Sequence, residues 1–228
     1  FRGADYAALV ERVRPDVPSL RATFVVRETL PDALLGEPGS PLPAPDPDDV
    51  AVILYTSGTT ADPKGVLHSH NTLLAECGST RASHRLDPDD VFVMPSPVGH
   101  ISGLLYGGLL PVVLGATSVL MERWDAEAFC ALVERERGTF SAGATPFLQG
   151  AVEAAGSGRY DLSSLRLFPC GGADVPPDLI RRAVEVLGMR SGRGYGSPEF
   201  PSITSSAGPR VPESKRAETD GTALPPHR

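Results

Sequence analysis

The sequence predicts an α/β fold, a parallel sheet layered with helices. Three observations carry this. From Val50 onward, short apolar runs alternate with helix-patterned stretches of about ten or more residues, the signature of repeated strand–helix units. Hydrophobic residues make up 41% of the 228, enough for one large core. Several apolar runs end in loops rich in glycine and hydroxyl residues, and open α/β sheets bind ligands at the carboxyl ends of their strands.

Each element follows from local pattern. "DYAALVERV" has apolar residues at helical spacing and predicts a helix, and "ATFVVR" a short strand. Residues 28–49 hold six prolines and many acids, which predicts an exposed connector. The chain thus divides into the end of a preceding α/β unit (1–27), the connector (28–49), a core (50–210) and a polar tail (211–228). "VAVILY" is a continuous apolar strand, and "NTLLAECGSTRASH" a helix with Asn71 as N-cap. "VFVMPSP" predicts a strand, and "ISGLLYGGLL" a buried helix made irregular at its end by Gly107, Gly108 and Pro111. "TSVLM" is a strand. "DAEAFCALVERERG" is a helix capped by Asp125 and ended by Gly138, with Ala128, Phe129, Cys130, Ala131, Leu132 and Val133 available to its inner side. "TFSAGA" predicts a strand, "PFLQGAVEAA" a helix and "LRLFPCGG" a strand. "PPDLIRRAVEVLG" is a helix with proline in its first turn and glycine past its end, and "RSGRGYG" is the final strand and loop.

Composition narrows the function classes. The net charge is -7, and no block of Lys and Arg offers a nucleic-acid face. The three cysteines are odd in number and far apart, without a CxxC, which argues against a zinc site or a disulfide framework. They are expected to be reduced thiols of a cytoplasmic protein. No apolar run is long enough for a bilayer span, and no signal peptide is expected. The chain opens without Met and stops in a proline-rich tail, so it is expected to be a piece of a longer protein.

The chemistry concentrates in loops after strands. "TSGTTADPKG" offers the hydroxyls of Thr56, Ser57, Thr59 and Thr60, the close backbone approach allowed by Gly58 and Gly65, and the charge of Lys64. That set suits a polyphosphate. Lys64 is one of only two lysines among 21 basic residues. The Walker pattern needs glycine just before the lysine, whereas here Gly65 follows it.

"YTSGTTADPKGVLHSH" resembles the phosphate-loop signature of the adenylate-forming, AMP-binding superfamily, which includes acyl-CoA synthetases and the adenylation domains of peptide synthetases. Two further stretches support the resemblance. "LFPCGGADVPPDLIRR" matches the family's Gly-Gly-Ala-like turn at Gly171, Gly172 and Ala173, which implies a lining for the adenine and acyl pockets. "GRGYGSPEF" matches the Tyr-Gly-x-Thr-Glu pattern through Gly194, Tyr195, Gly196, Ser197 and Glu199. The resemblance implies that Tyr195 packs on adenine and that Glu199 holds Mg²⁺, for which a carboxylate is a natural hard ligand. Position 198 is Pro where the family has Thr, and proline has neither the hydroxyl nor an N–H for the α-phosphate.

"PSPVGHISGLLYGG" contains no acid to pair with a substrate ammonium; it resembles the Pro-x-x-His-x-x-Gly pattern of acyl- and aryl-CoA synthetases. This implies that His100 lies at the carboxylate end of the acid's pocket. The implied function is ATP-dependent activation of a carboxylic acid, fatty or alicyclic, through acyl-AMP to an acyl-CoA thioester, with ATP, Mg²⁺ and CoA. Lys64, His100 and Glu199 are the implied catalytic residues. The family's Thr-Gly-Asp motif and mobile C-terminal domain are not found in the sequence, so the implied fold is an incomplete large N-terminal domain, inactive alone. The alternatives are a truncated non-catalytic or nucleotide-binding relic and a peptide-synthetase-type adenylation domain.

Overall fold

The structure is a computed structural model that describes residues 5–23, 25, 44–56 and 62–225. It contains two compact units, residues 1–45 and 46–228. In the first, helix α1 (Tyr6–Val13) is capped by Asp5, whose carboxylate accepts from the Ala8 N–H at 2.9 Å. A 3₁₀ turn, Arg14–Asp16, follows, and Arg14 holds Glu11 and the Thr23 hydroxyl. Of the predicted strand over 22–27, the described residues 22, 23 and 25 form no strand, and the others lie outside the described residues. Connector residues 28–43 also lie outside them; residues 44–49 are irregular and turn-forming, as the prolines predict.

The second unit opens with a hairpin that sequence pattern did not reveal. Strand β1 (Val50–Thr56) pairs antiparallel with β2 (Lys64–Ser69), placing Thr56 opposite Lys64. Helix α2 (His70–His84) starts from Ser69 and not from Asn71. Ser69 keeps an extended backbone, its Oγ accepts from the Thr72 N–H, and Thr72 Oγ1 accepts from the Ser69 N–H, a reciprocal capping box. Asn71 is already helical, and its amide donates to Asp48 at 2.7 Å.

The main sheet is built from β3 (Val91–Met94), β4 (Thr117–Leu120), β5 (Leu167–Gly171), β6 (Arg190–Ser197), β7 (Phe200–Ser205) and β8 (Thr222–Ala223). β3 pairs parallel with β4, and β5 with β6. The "TFSAGA" segment joins the halves through parallel bridges Phe92–Phe140, Phe140–Leu167 and Gly143–Cys170, without a continuous strand of its own. β3 stops at Met94, since Pro95 has no N–H for the ladder. The sheet is parallel at its centre and antiparallel at one edge. The two residues between β6 and β7 are too few for a crossover, so β7 returns antiparallel, and β8 pairs antiparallel with it.

Helices cover both faces because successive strand residues point in opposite directions. Val93, Phe168 and Cys170 pack with α4 (Ala126–Glu136), α5 (Thr145–Ala155) and α6 (Pro177–Leu187). Phe92, Met94, Phe140, Ala142 and Leu167 pack on the other face, with Cys77 of α2 and with Leu105, Leu110 and Leu114. Those leucines belong to the predicted irregular helix, which is a π segment (Gly103–Leu109) leading into α3 (Leu110–Leu114). There the Leu110 N–H bonds the Leu105 carbonyl, five residues back, and Pro111 has no N–H to resume the ordinary ladder at once. A short helix α7 (Glu213–Arg216) precedes β8.

Helix α4 differs from the sequence reading in its buried face and in its end. On α4 only Phe129, Cys130 and Val133 are buried; Ala128 and Ala131 are exposed. Its left-handed terminal residue is Arg137, φ 54°, not Gly138. Gly138 is required for a different reason: a Cβ there would lie 2.6 Å from Val93 Cγ2. α6 ends as predicted, with Gly188 left-handed at φ 64°. Among the described residues, no helix is long and apolar enough to cross a membrane.

Candidate functional site

A cavity of about 440 Å³ opens at the carboxyl ends of β5 and β6. Three predicted segments meet in its walls. Gly171 and Gly172 come from the end of β5; Gly194, Tyr195, Gly196, Ser197 and Pro198 from β6 and its turn; His100 from the loop before the π segment. Sequence-distant loops meet here because parallel strands bring their carboxyl ends to one edge. Ile101, Tyr106, Ala144 and Phe147 supply apolar surface, and Ser202 and Thr204 of β7 complete the wall beyond the turn.

Two glycines keep that wall thin. Gly171 and Gly194 form the last rung of the β5–β6 ladder, and a Cβ on Gly171 would drive into the Gly194 carbonyl oxygen. A Cβ on Gly196 would strike the Pro201 carbonyl oxygen in the same way. Both positions exclude larger residues by backbone approach.

Pro198 and Glu199 are the two residues of the β6–β7 turn, between the paired Ser197 and Phe200. The first central position of a turn suits a fixed negative φ and needs no ladder donor, so proline fits the backbone there. His68 of β2, buried at 3% exposure, lies with Nε2 2.7 Å from the Pro198 carbonyl. A carbonyl only accepts, so Nε2 carries the proton and donates; Nδ1 faces the Thr72 hydroxyl at 3.4 Å. Sequence reasoning passed over His68. Its signal was the alternation in "KGVLHS", which turns Val66 and His68 to the same, buried side.

The His68 link fastens β2 to the turn and brings Lys64 near Glu199. The Glu199 carboxyl is held below its ordinary value, first by the Ser197 hydroxyl, then by its own backbone N–H, with smaller help from Lys64 and His68. It is exposed and ionised at neutral pH. Among the described residues, no group of three or more His, Cys, Asp or Glu could hold a metal ion, so a cation here would have one carboxylate and otherwise ligands from water or substrate. Lys64, Glu199, Thr56 and Ala173 are not in the cavity's walls, and Ala173 is exposed. Ser57, Gly58, Thr59 and Thr60 lie outside the described residues.

His100 has a defined tautomer. Its Nδ1 accepts from the Ser102 N–H at 3.3 Å and lies 2.8 Å from the Ser102 hydroxyl. A nitrogen that accepts from a backbone N–H cannot carry the proton of a neutral imidazole, so Nε2–H remains as a donor. Tyr106, unremarked in the sequence, is partly buried in the cavity wall; its hydroxyl lies 2.5 Å from Ser202 Oγ, and burial pushes its pKa up to about 12. It acts here as a neutral hydrogen-bonding group.

Comparisons with known proteins give the family. The chain matches the AMP-binding enzyme model over residues 4–227 and belongs to that family. It is 40% identical over 156 residues to the medium-chain fatty-acid–CoA ligase of Escherichia coli, covering 67% of this chain and 27% of that protein. It is 36% identical over 153 residues to a feruloyl-CoA synthase of Amycolatopsis, covering 67% and 31%. Among solved structures it is similar to a malonyl-CoA ligase ternary product complex with methylmalonyl-CoA and AMP bound, with TM-score 0.69 and 26% identity over 81% of this chain and 40% of the other. The chain thus spans about a third of the length of the curated relatives it matches.

Proposed function

We propose that the chain belongs to an ATP-dependent acid–thiol ligase that activates a carboxylic acid as acyl-AMP and transfers the acyl group to CoA. In the first step a carboxylate oxygen bonds to the α-phosphorus of ATP and the α–β anhydride breaks, releasing pyrophosphate. In the second the thiolate sulfur bonds to the acyl carbon and AMP leaves. The observation that carries this reading is one cavity walled by Gly171–Gly172, Gly194–Ser197 and His100, with Lys64 and Glu199 brought beside its turn.

Positioning and charge neutralisation carry such chemistry. Tyr195, 59% exposed at the rim, offers a ring face for adenine. His100 offers its Nε2–H to the acid's carboxylate, and Lys64 its charge to the departing phosphates. Glu199 is the residue that would hold Mg²⁺, which when bound neutralises negative charge on the phosphates. Pro198 supplies no hydroxyl to the α-phosphate; its turn keeps only the Ser197 hydroxyl, which accepts from the Phe200 N–H at 3.3 Å. The relatives named for fatty-acid and feruloyl substrates support an acid without an ammonium group.

The test is calorimetric titration of the full chain with ATP and with adenosine. Lys64→Ala should weaken ATP by about 1.5–3 kcal/mol, a charged hydrogen bond's worth, and leave adenosine unchanged. Equal losses for both ligands would overturn the assignment.

A further inference from the structure

His68 does not line the cavity, yet its ring reaches the turn that carries Glu199. It projects from β2, four residues beyond Lys64, and is only 3% exposed. Nε2 donates to the Pro198 carbonyl at 2.7 Å, and Nδ1 lies 3.4 Å from the Thr72 hydroxyl of the capping box that starts α2. The ring is therefore held between helix and turn, and its bond to Pro198 is made away from water, where hydrogen bonds are stronger.

That bond falls on the peptide group between Pro198 and Glu199. A peptide unit is planar, so fixing its carbonyl oxygen fixes the direction of the N–H on its other side. This N–H belongs to Glu199 and supports the Glu199 carboxylate, as the Ser197 hydroxyl does. Proline fixes φ at position 198, which leaves ψ free, and the His68 bond sets ψ. Hydrogen bonds in series also polarise one another, so a carbonyl that accepts makes the N–H of the same peptide a better donor. One such series runs from His68, through the Pro198–Glu199 peptide, to the carboxylate. Lys64, on the same strand as His68, attracts that carboxylate as well.

We propose that His68 is a positioning residue of the nucleotide site: acting through the Pro198–Glu199 peptide, it fixes the direction of the Glu199 carboxylate relative to Lys64. This rests on reading Lys64 and Glu199 as the groups that meet the phosphates and their metal ion. Because His68 stands behind the turn, its influence falls on the phosphate half of ATP and not on the adenosine half assigned to Tyr195.

The experiment is calorimetry on the full chain with ATP plus Mg²⁺ and with adenosine, for the parent and for His68→Leu, His68→Asn and His68→Gln. Leucine has no donor, and the asparagine amide falls short of the Nε2 position, whereas the glutamine amide reaches it. His68→Leu and His68→Asn should weaken ATP about tenfold and adenosine by less than about twofold, and His68→Gln should retain most of the parent's ATP affinity. Thermal unfolding checks that each variant is folded; if leucine is not tolerated, the Asn and Gln variants carry the same comparison. In a Glu199→Gln background, replacing His68 should cost much less than in the parent, as expected of residues that act as a unit. Undiminished ATP binding in both the Leu and Asn variants, equal losses for ATP and adenosine, no rescue by glutamine, or full additivity with Glu199→Gln overturns the proposal and leaves the adenylate site standing. If the parent binds neither ligand, the adenylate reading itself fails and this proposal with it.

Discussion

Gly171→Ala is the sharpest test of how the cavity wall is built. The added Cβ would meet the Gly194 carbonyl oxygen far inside van der Waals contact, with the carbonyl carbon 3.1 Å away. Neither atom belongs to a movable side chain. Relief requires β5 and β6 to separate at their last rung, where Gly171 pairs with Gly194. Overpacking of this kind costs about 1–3 kcal/mol. For a domain of this size each kcal/mol lowers Tm by about 2–4 °C. The shift also displaces Tyr195, the next residue, so nucleotide affinity should fall with stability. Urea unfolding and calorimetric titration with ATP would measure both. Gly108→Ala is the control: no atom lies within 4 Å of its Cβ, and the position is helical, so the variant should be unchanged or stabilised by up to about 1 kcal/mol. A Gly171→Ala protein within 0.5 kcal/mol of the parent, by an estimate of ordinary surface tolerance, would refute the close-approach argument.

Three further outcomes are expected. The His84 pKa is lowered on folding from 6.5 to about 4, so the unfolded chain takes up a proton first. Stability contributed by neutral His84 is therefore present above pH 6.5 and lost as pH falls toward 4, and unfolding curves of His84→Leu across that window should lack this component. The thiols of Cys77, Cys130 and Cys170 are buried, with pKa values raised by burial to about 11, 11 and 12. At pH 8 a thiol of pKa near 11 is thiolate only about one part in a thousand, so a thiol reagent should label native protein very slowly and all three cysteines once urea is added. Asp90, 3% exposed on its side chain, accepts from Arg166 at 2.5 and 3.0 Å and from the Thr139 hydroxyl at 2.6 Å. Breaking a buried pair costs 3–5 kcal/mol, but Arg166 is more than a third exposed and can be rehydrated, so Asp90→Ala should lose about 2 kcal/mol in urea unfolding; no loss would place the strand starts under other control.

Much of this was legible along the chain. The apolar runs at β3, β4 and β5, the Asp125 cap and the Pro177-to-Gly188 limits of α6 follow from pattern and backbone chemistry alone, because each is a local decision. Two of the glycine-rich stretches read after strands, those holding Gly171–Gly172 and Gly194–Ser197, lie in the cavity wall, whereas Thr56 and Lys64 of the hydroxyl-rich loop do not. The misses were non-local or competitive. The β1–β2 hairpin hid because Lys64–Ser69 was absorbed into the loop motif, and β7 because its alternation follows an unusual proline turn. Ser69 won the cap from Asn71 since Thr72 could answer it reciprocally, a cooperation that residue-by-residue preference does not weigh.

The sequence by itself determined the alternation of strands and helices, the glycines that admit close backbone approach, and the family, because these depend on residues near one another in the chain. Only the tertiary structure decided which atoms face the cavity. That His68 donates to Pro198, that His100 keeps its proton on Nε2, and that His84 ends α2 with a buried nitrogen without a partner all depend on how the sheet packs the chain. The physical reason is that side-chain direction and burial, which fix protonation and unmet hydrogen bonds, are properties of the packed whole, and no stretch of sequence contains them.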